Sequence, residues 1–357
     1  MSSKKEKGSK KGIPKFKKRQ WINMKKTLVA LAVLAAAGSV NAAEVYNNDG
    51  VSVSVSGAGE VQYYQDYEAD GDDVSSKIRI DDAQVNVMVG VEVTEDLTAV
   101  AGLKQTFESD DNATGTVSTD GSYVGLASAQ FGTLTFGRQY LITDDSGIGA
   151  DFEVGAAQYG QDVTIGSDVI KYVYDNGQYY FGLSHDLDEG EGSTADETST
   201  DGRFGFRMGG LDARLYIYSG ESVSLGNDLL GTSYGTGDED SYNLEAVYTF
   251  NDQWSMAASF GNENKDVNNA EVSDRKVFEV VGSYAVDKNT FSLGYVYANE
   301  DEGTNAGESN NIYGVVVHQL NANVRAYAEL GYYDVDLDTA ADPDFDVAYT
   351  VGMEVSF

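Results

Sequence analysis

The feature that most limits this chain is alternation. From residue 51 onward, stretch after stretch places apolar side chains at every second position, the period of an extended strand rather than of a helix. Val51, Val53, Val55, Gly57, Gly59, Val61 and Tyr63 share one face, while Ser52, Ser54, Ser56, Ala58, Glu60, Gln62 and Tyr64 share the other. Val85, Val87, Val89, Val91 and Val93 alternate with Gln84, Asn86, Met88, Gly90 and Glu92, and residues 242–250, 291–297 and 324–332 repeat the pattern. A soluble sandwich would alternate too, but two observations favour a membrane barrel. The apolar faces run for about 9–11 residues, the length of a tilted bilayer crossing. Tyrosines also gather toward strand ends, at Tyr63, Tyr64 and Tyr67, at Tyr179 and Tyr180, and at Tyr332 and Tyr333, as in an aromatic girdle.

The connections fall into two classes. Short turns lie at 94–96, 130–132, 175–177, 209–210, 250–252, 286–288 and 320–322. Several carry Gly or Asn, which accept positive φ. Longer, acid-rich stretches lie near 68–76, 109–121, 143–167, 186–202, 219–240, 262–275, 299–310 and 336–346. Seven short and eight long connections join sixteen strands, and an even count puts both ends of the barrel chain on the short-turn side. The fold class is therefore all-β: an antiparallel up-and-down transmembrane barrel of about 16 strands, with short periplasmic turns and long external loops.

Composition removes other classes. The 357 residues include no Cys, so disulfides, thiolate metal sites and thiol nucleophiles are out. A mean hydropathy of −0.35 is not that of a helical membrane protein. The net charge of −34 argues against nucleic acid as a partner. That charge is unevenly divided, because residues 1–42 hold eleven of the 24 basic residues and one acid. Residues 43–357 carry thirteen basic and fifty-seven acidic side chains, a net −44. Met24-Lys25-Lys26, an apolar run over 28–37 and Val40-Asn41-Ala42 read as a secretory signal over 24–42. Residues 1–23 are then a basic upstream extension, and 43–357 the barrel domain.

The chain ends with Tyr349, Val351, Met353, Val355 and Phe357 alternating with polar or small residues. A last strand that stops on an aromatic resembles the assembly signal of outer-membrane proteins, read by the barrel assembly machinery, with Phe357 as its key residue. Together with Val55-Ser56-Gly57 and the stretch Thr135-Phe136-Gly137-Arg138-Gln139-Tyr140, it makes 43–357 resemble the general-diffusion porins of Gram-negative bacteria, in particular the acidic porins of marine gammaproteobacteria. The resemblance implies a trimer, a third loop folded into the pore, and a basic cluster on the wall set against acids on that loop. Carried onto this sequence, Arg138 is the first wall candidate, followed by Lys77, Arg79 and Lys171. The loop candidates are Asp144, Asp145, Asp151 and Glu153, with Asp162 further along. Two departures stand out. The loop reads Gly147-Ile148-Gly149-Ala150-Asp151-Phe152-Glu153 where the family has Pro-Glu-Phe-Gly-Gly, and Ala58 stands where many relatives carry lysine.

A barrel this wide cannot be filled by side chains, so its lumen holds water. By parity Lys104, Lys171, Arg203, Arg207, Arg214 and Arg325 oppose their apolar neighbours and face that water, since lipid penalises Arg or Lys by about 2–4 kcal/mol at the midplane. Arg138 shares parity with Leu134 and Phe136, and a bulge at Gly137 would restore it. These basic residues either set a transverse field or only fix strand register through salt bridges.

The function expected is passive diffusion of ions and small hydrophilic solutes, with a preference for cations because the acids dominate. Alternatives are an adhesin or structural outer-membrane protein using its acidic loops, and a solute-specific channel. Partners follow from the location: the bilayer, lipopolysaccharide, cations and small solutes. The run Asp186, Asp188, Glu189, Glu191, Asp196, Glu197 and Asp201 lacks any known metal-loop spacing, so no cofactor or metal is expected. His185 and His318 sit on separate predicted strands, which gives no support to an enzyme.

Overall fold

The computed structural model describes residues 43–68, 76–108, 116–187, 197–227, 233–301, 306–338 and 342–357. The extension, the signal segment and the acids at Asp188, Glu189, Glu191 and Asp196 lie outside them. The strands are β1 (Ala43–Asn48), β2 (Val51–Gln65), β3 (Lys77–Thr94), β4 (Leu97–Glu108), β5 (Thr116–Ser128), β6 (Gly132–Tyr140), β7 (Ile165–Asp175), β8 (Tyr179–Asp186) and β9 (Thr198–Met208). They continue as β10 (Leu211–Asn227), β11 (Ser233–Thr249), β12 (Trp254–Val267), β13 (Ala270–Val286), β14 (Asn289–Glu300), β15 (Gly307–Asn321), β16 (Val324–Leu337) and β17 (Ala348–Ser356). From β2 to β17 each strand pairs antiparallel with the next, and β17 pairs back onto β2. The result is a closed barrel of sixteen strands, as expected.

The closure is tight to the last residue. Gly57 and Phe357 exchange both main-chain hydrogen bonds at 2.9 Å, immediately below the Ser356–Ala58 pair. The short strand β1 continues that line on the same edge of β2, from Ala43 opposite Val55 to Asn48 opposite Val51. Its turn at Asp49 and Gly50 has positive φ at both residues, the twist-matched hairpin geometry.

The alternation is realised as two faces. Val61, Tyr63, Leu126, Phe136, Leu183, Phe204, Ile217, Leu244, Leu293 and Leu330 are exposed on the outer face. Ser52, Gln62, Thr135, Ser184, Asn243 and Glu279 lie buried on the inner one. The seven short turns fall where the sequence places them. Two expected long connections shrink. The stretch 262–275 is a hairpin, with Asn268 and Asn269 both at positive φ between β12 and β13. Most of 219–240 is strand, leaving only 228–232 between β10 and β11. Acidic composition suggested loops there. A strand above the bilayer needs only main-chain pairing, not an apolar face, so polar sequence continues the ladder.

The largest buried apolar cluster among the described residues lies on one side of the lumen, with a smaller one of Leu141, Val169 and Tyr218 at the root of the crossing segment. Ile148, Val154 and Tyr159, from the segment between β6 and β7, pack on Val277, Val281, Val296, Ala298, Tyr313 and Val315 of the inner wall. Outer and inner faces make opposite demands on charge. Leu293→Arg on β14 should therefore cost about 2–4 kcal/mol of folding free energy in lipid, whereas Glu95→Arg in the first short turn should stay within about 0.5 kcal/mol. Urea titration of the barrel refolded into liposomes measures both, and equal stability of the two variants would place Leu293 away from lipid.

Candidate pore constriction

The segment 141–164 leaves the wall after β6 and returns to β7. Its root is closed by the Leu141 amide donating to the Thr164 carbonyl at 2.8 Å. It opens with a single 3-10 turn over Thr143–Asp145 and then crosses the lumen. Its main-chain N–H groups have no strand to pair with, and a buried amide must find an acceptor. The wall supplies carboxylates. The Thr143 amide donates to Asp201 at 2.6 Å, Gly147 to Glu245 at 2.6 Å, and Tyr159 to Glu279 at 2.9 Å. Gly160 donates to Glu263 at 3.1 Å and Asp162 to Glu239 at 3.3 Å. Glu329 on β16 takes two adjacent amides, those of Phe152 and Glu153, each at 2.7 Å.

Several expected partners meet. Arg79 on β3 forms an ion pair with Glu153 at 2.5 Å and donates to Gln62 at 2.8 Å, while the Gln62 amide donates to Glu153 at 2.9 Å. The Arg79 guanidinium also lies 4.2 Å from the Tyr64 ring centre. Arg203 holds Asp145 at 2.6 Å, and Lys265 holds Asp162 at 2.7 Å. At the tip, Phe152 stacks on Tyr327 with centroids 3.6 Å apart, and Arg325 covers it at 4.8 Å.

Others are placed differently. Arg138 donates to the Thr119 carbonyl and to the Ser167 hydroxyl, at 2.5 and 2.8 Å, and to no carboxylate of the segment. The irregularity expected at Gly137 exists, but Gly137 pairs with Val169 and Gln139 with Gly166. The extra residue is thus on β7. Gln139 stays in the inward phase of Thr135, to which it is hydrogen-bonded at 2.7 Å, and Arg138 keeps the phase of Phe136. Lys171 is tucked under the root, donating to the carbonyls of Tyr140 and Leu141 at 2.8 and 3.2 Å. Asp151 turns back on its own segment and accepts the Gly155 amide and the Gln158 side chain. Lys77 shares the inward face with Arg79, opposite Tyr64. Asp144 touches lumen water yet is walled in by the barrel. That enclosure and the adjacent Asp145 charge push its carboxyl up to about 6, with Lys171 and Lys104 opposing.

The remaining arginine candidates line the inner wall in ion pairs. Arg207 contacts Asp175 and Asp212 at 2.9 and 3.1 Å, Arg214 contacts Glu245 at 2.5 Å, and Arg325 contacts Glu354 at 2.6 Å. Lys104 donates to the Tyr140 hydroxyl at 3.1 Å. The sequence reading missed the wall glutamates Glu239, Glu245, Glu263, Glu279 and Glu329. A signal was there: Val280-Val281 and Val315-Val316-Val317 are apolar on both faces, which marks strands covered inside as well as outside. Glu329→Ala should leave two enclosed amides without acceptors, at about 1–3 kcal/mol each. Single-channel recording should then show open-state current fluctuations absent from the native protein; a steady native-like trace would mean that Glu329 does not hold the tip.

The chain matches the Gram-negative porin family over residues 27–338. Porin-like protein H of Photobacterium profundum is 41% identical over 345 residues, covering 94% of this chain and 100% of the relative. Among solved structures, OmpT of Vibrio cholerae in its trimer form superposes with a TM-score of 0.69 at 19% identity, covering 87% of this chain and 100% of the other. An anion-selective porin from Comamonas acidovorans gives 0.68 at 18%, covering 86% and 100%. This family comprises outer-membrane channels rather than enzymes. From the span of that match and the identity to its porin-like relative, the chain belongs to the Gram-negative porins.

Proposed function

We propose that the barrel is a general-diffusion pore for ions and small hydrophilic solutes that prefers cations. The observation that carries this reading is the charge balance inside the wall. Eight of the thirteen basic residues of 43–357 lie within 4 Å of a carboxylate among the described residues. Their fields are largely cancelled at close range by the carboxylates they touch, and the net −44 of residues 43–357 is left to set the mean potential. The fold does not decide the sign, since a barrel of similar shape from Comamonas acidovorans is described as anion-selective. The side chains must decide it. Measured in a KCl gradient across a planar bilayer, the reversal potential should have the sign of a cation-preferring pore. The preference should weaken as pH falls through about 6, where Asp144 takes up its proton. An anion-preferring reversal potential at neutral pH overturns the assignment.

The pore is proposed to work as a homotrimer in a lipopolysaccharide-bearing membrane. The outer faces of β3 to β5 carry Val85, Val87, Val89, Ala99, Ala101 and Val124, whereas those of β11 to β14 carry Tyr242, Phe260, Phe278 and Tyr295. Small, flat valine and alanine surface suits close approach of a second barrel, and large rings suit the lipid interface. Ala101→Arg should split the trimer into monomers on a native gel while leaving the barrel folded; an intact trimer would move the interface elsewhere.

A further inference from the structure

We infer that Lys104 is the residue that admits anions to this pore and so sets how strongly cations are preferred. The inference rests on the channel reading above. It begins from the ion pairs. On the inner wall, Arg79, Arg203, Arg207, Arg214, Lys265, Arg275 and Arg325 each touch a carboxylate. Lys171 spends its donors on the carbonyls of Tyr140 and Leu141. Lys104 has no carboxylate within ion-pair distance among the described residues; its hydrogen bond goes to the neutral Tyr140 hydroxyl, and its ammonium lies 4.5 Å from that ring's centre.

The obvious counter-charge is otherwise engaged. Asp120 is the extra residue of a bulge in β5, where Lys104 pairs with Gly121 and Gln105 with Thr119. Its carboxylate accepts the Thr106 hydroxyl, the Ser118 hydroxyl at 2.8 Å and the Tyr140 hydroxyl at 3.2 Å. The tyrosine oxygen therefore stands between the lysine and the aspartate, accepting from one and donating to the other. Gly121, directly opposite Lys104, leaves the lysine stem uncovered: a Cβ there would sit 3.1 Å from the Lys104 Cβ. The ammonium lies on the lumen side, beside the root of the segment that carries Asp144. A cation in direct contact with a carboxylate offers a passing anion little more than a dipole, while Lys104, held one tyrosine oxygen away from Asp120, leaves more of its field in the lumen.

The test compares reversal potentials of the native protein, Lys104→Gln, Lys104→Arg and Arg138→Gln in the same KCl gradient. Heat-modified gel migration first verifies that each variant is a folded barrel. Lys104→Gln should raise the potassium-to-chloride permeability ratio about two-fold or more, Lys104→Arg should hold the native ratio, and Arg138→Gln should leave it unchanged. A native ratio in folded Lys104→Gln overturns the inference, as does a larger shift from Arg138→Gln. The two readings fail separately. A native pore that prefers anions refutes the cation assignment, yet the role of Lys104 stands if its removal lowers the chloride permeability.

Discussion

The structure depends on one demand of the bilayer: no main-chain amide or carbonyl can go without a partner where water is absent. A single open edge would leave a row of them exposed. The sheet therefore closes on itself, and the closure is carried through to Phe357, which shares two hydrogen bonds with Gly57. The β1 strand then occupies the stretch of the β2 edge that the chain end does not reach.

The same demand acts a second time inside the barrel. The segment 141–164 has no strand partner, so its amides reach for side-chain acceptors, and glutamates spread over β11, β12, β13 and β16 provide them. Acids that composition alone assigns to ion attraction thus serve first as fixed acceptors. The apolar inner patch around Val281 and Val315 decides which side the segment lies on, and the carboxylates decide its height. Apolar contact positions it coarsely; the hydrogen bonds fix each turn.

How much of this could be read from the chain follows from the range of each interaction. Parity is local, so the two faces, the short turns and the inward phase of Lys104, Arg203, Arg207, Arg214 and Arg325 were legible. Strand count followed from the turns. The extent of the external connections was not legible, because polar strands above the membrane and true loops share one composition; Asn268-Asn269 shows how a pair of asparagines can replace a loop. Arg138 was misplaced for a related reason. Its phase depends on which of two paired strands holds the extra residue, and that is a property of β6 and β7 together. Glu329 and Glu279 were invisible because an acceptor for a distant main chain looks, in sequence, like any other inward acid.

Selectivity then becomes a question of which charges remain after contact, not of how many there are. Counted in sequence, the inner wall is rich in arginine and resembles a basic ladder. Counted in space, most of those guanidiniums are joined to a carboxylate at hydrogen-bond distance, and Arg275 is held by Glu263 at 2.9 Å in the same way. Pairing lets the arginines lock register and loop position while adding little to the field felt by an ion mid-channel. On the reading proposed above, what that ion meets is the remainder: acids such as Asp144 on the crossing segment and the ammonium of Lys104 beside its root. A wide aqueous pore of this kind can change its preference through one or two residues without any change of fold, because the fold fixes the wall and the side chains fix the field.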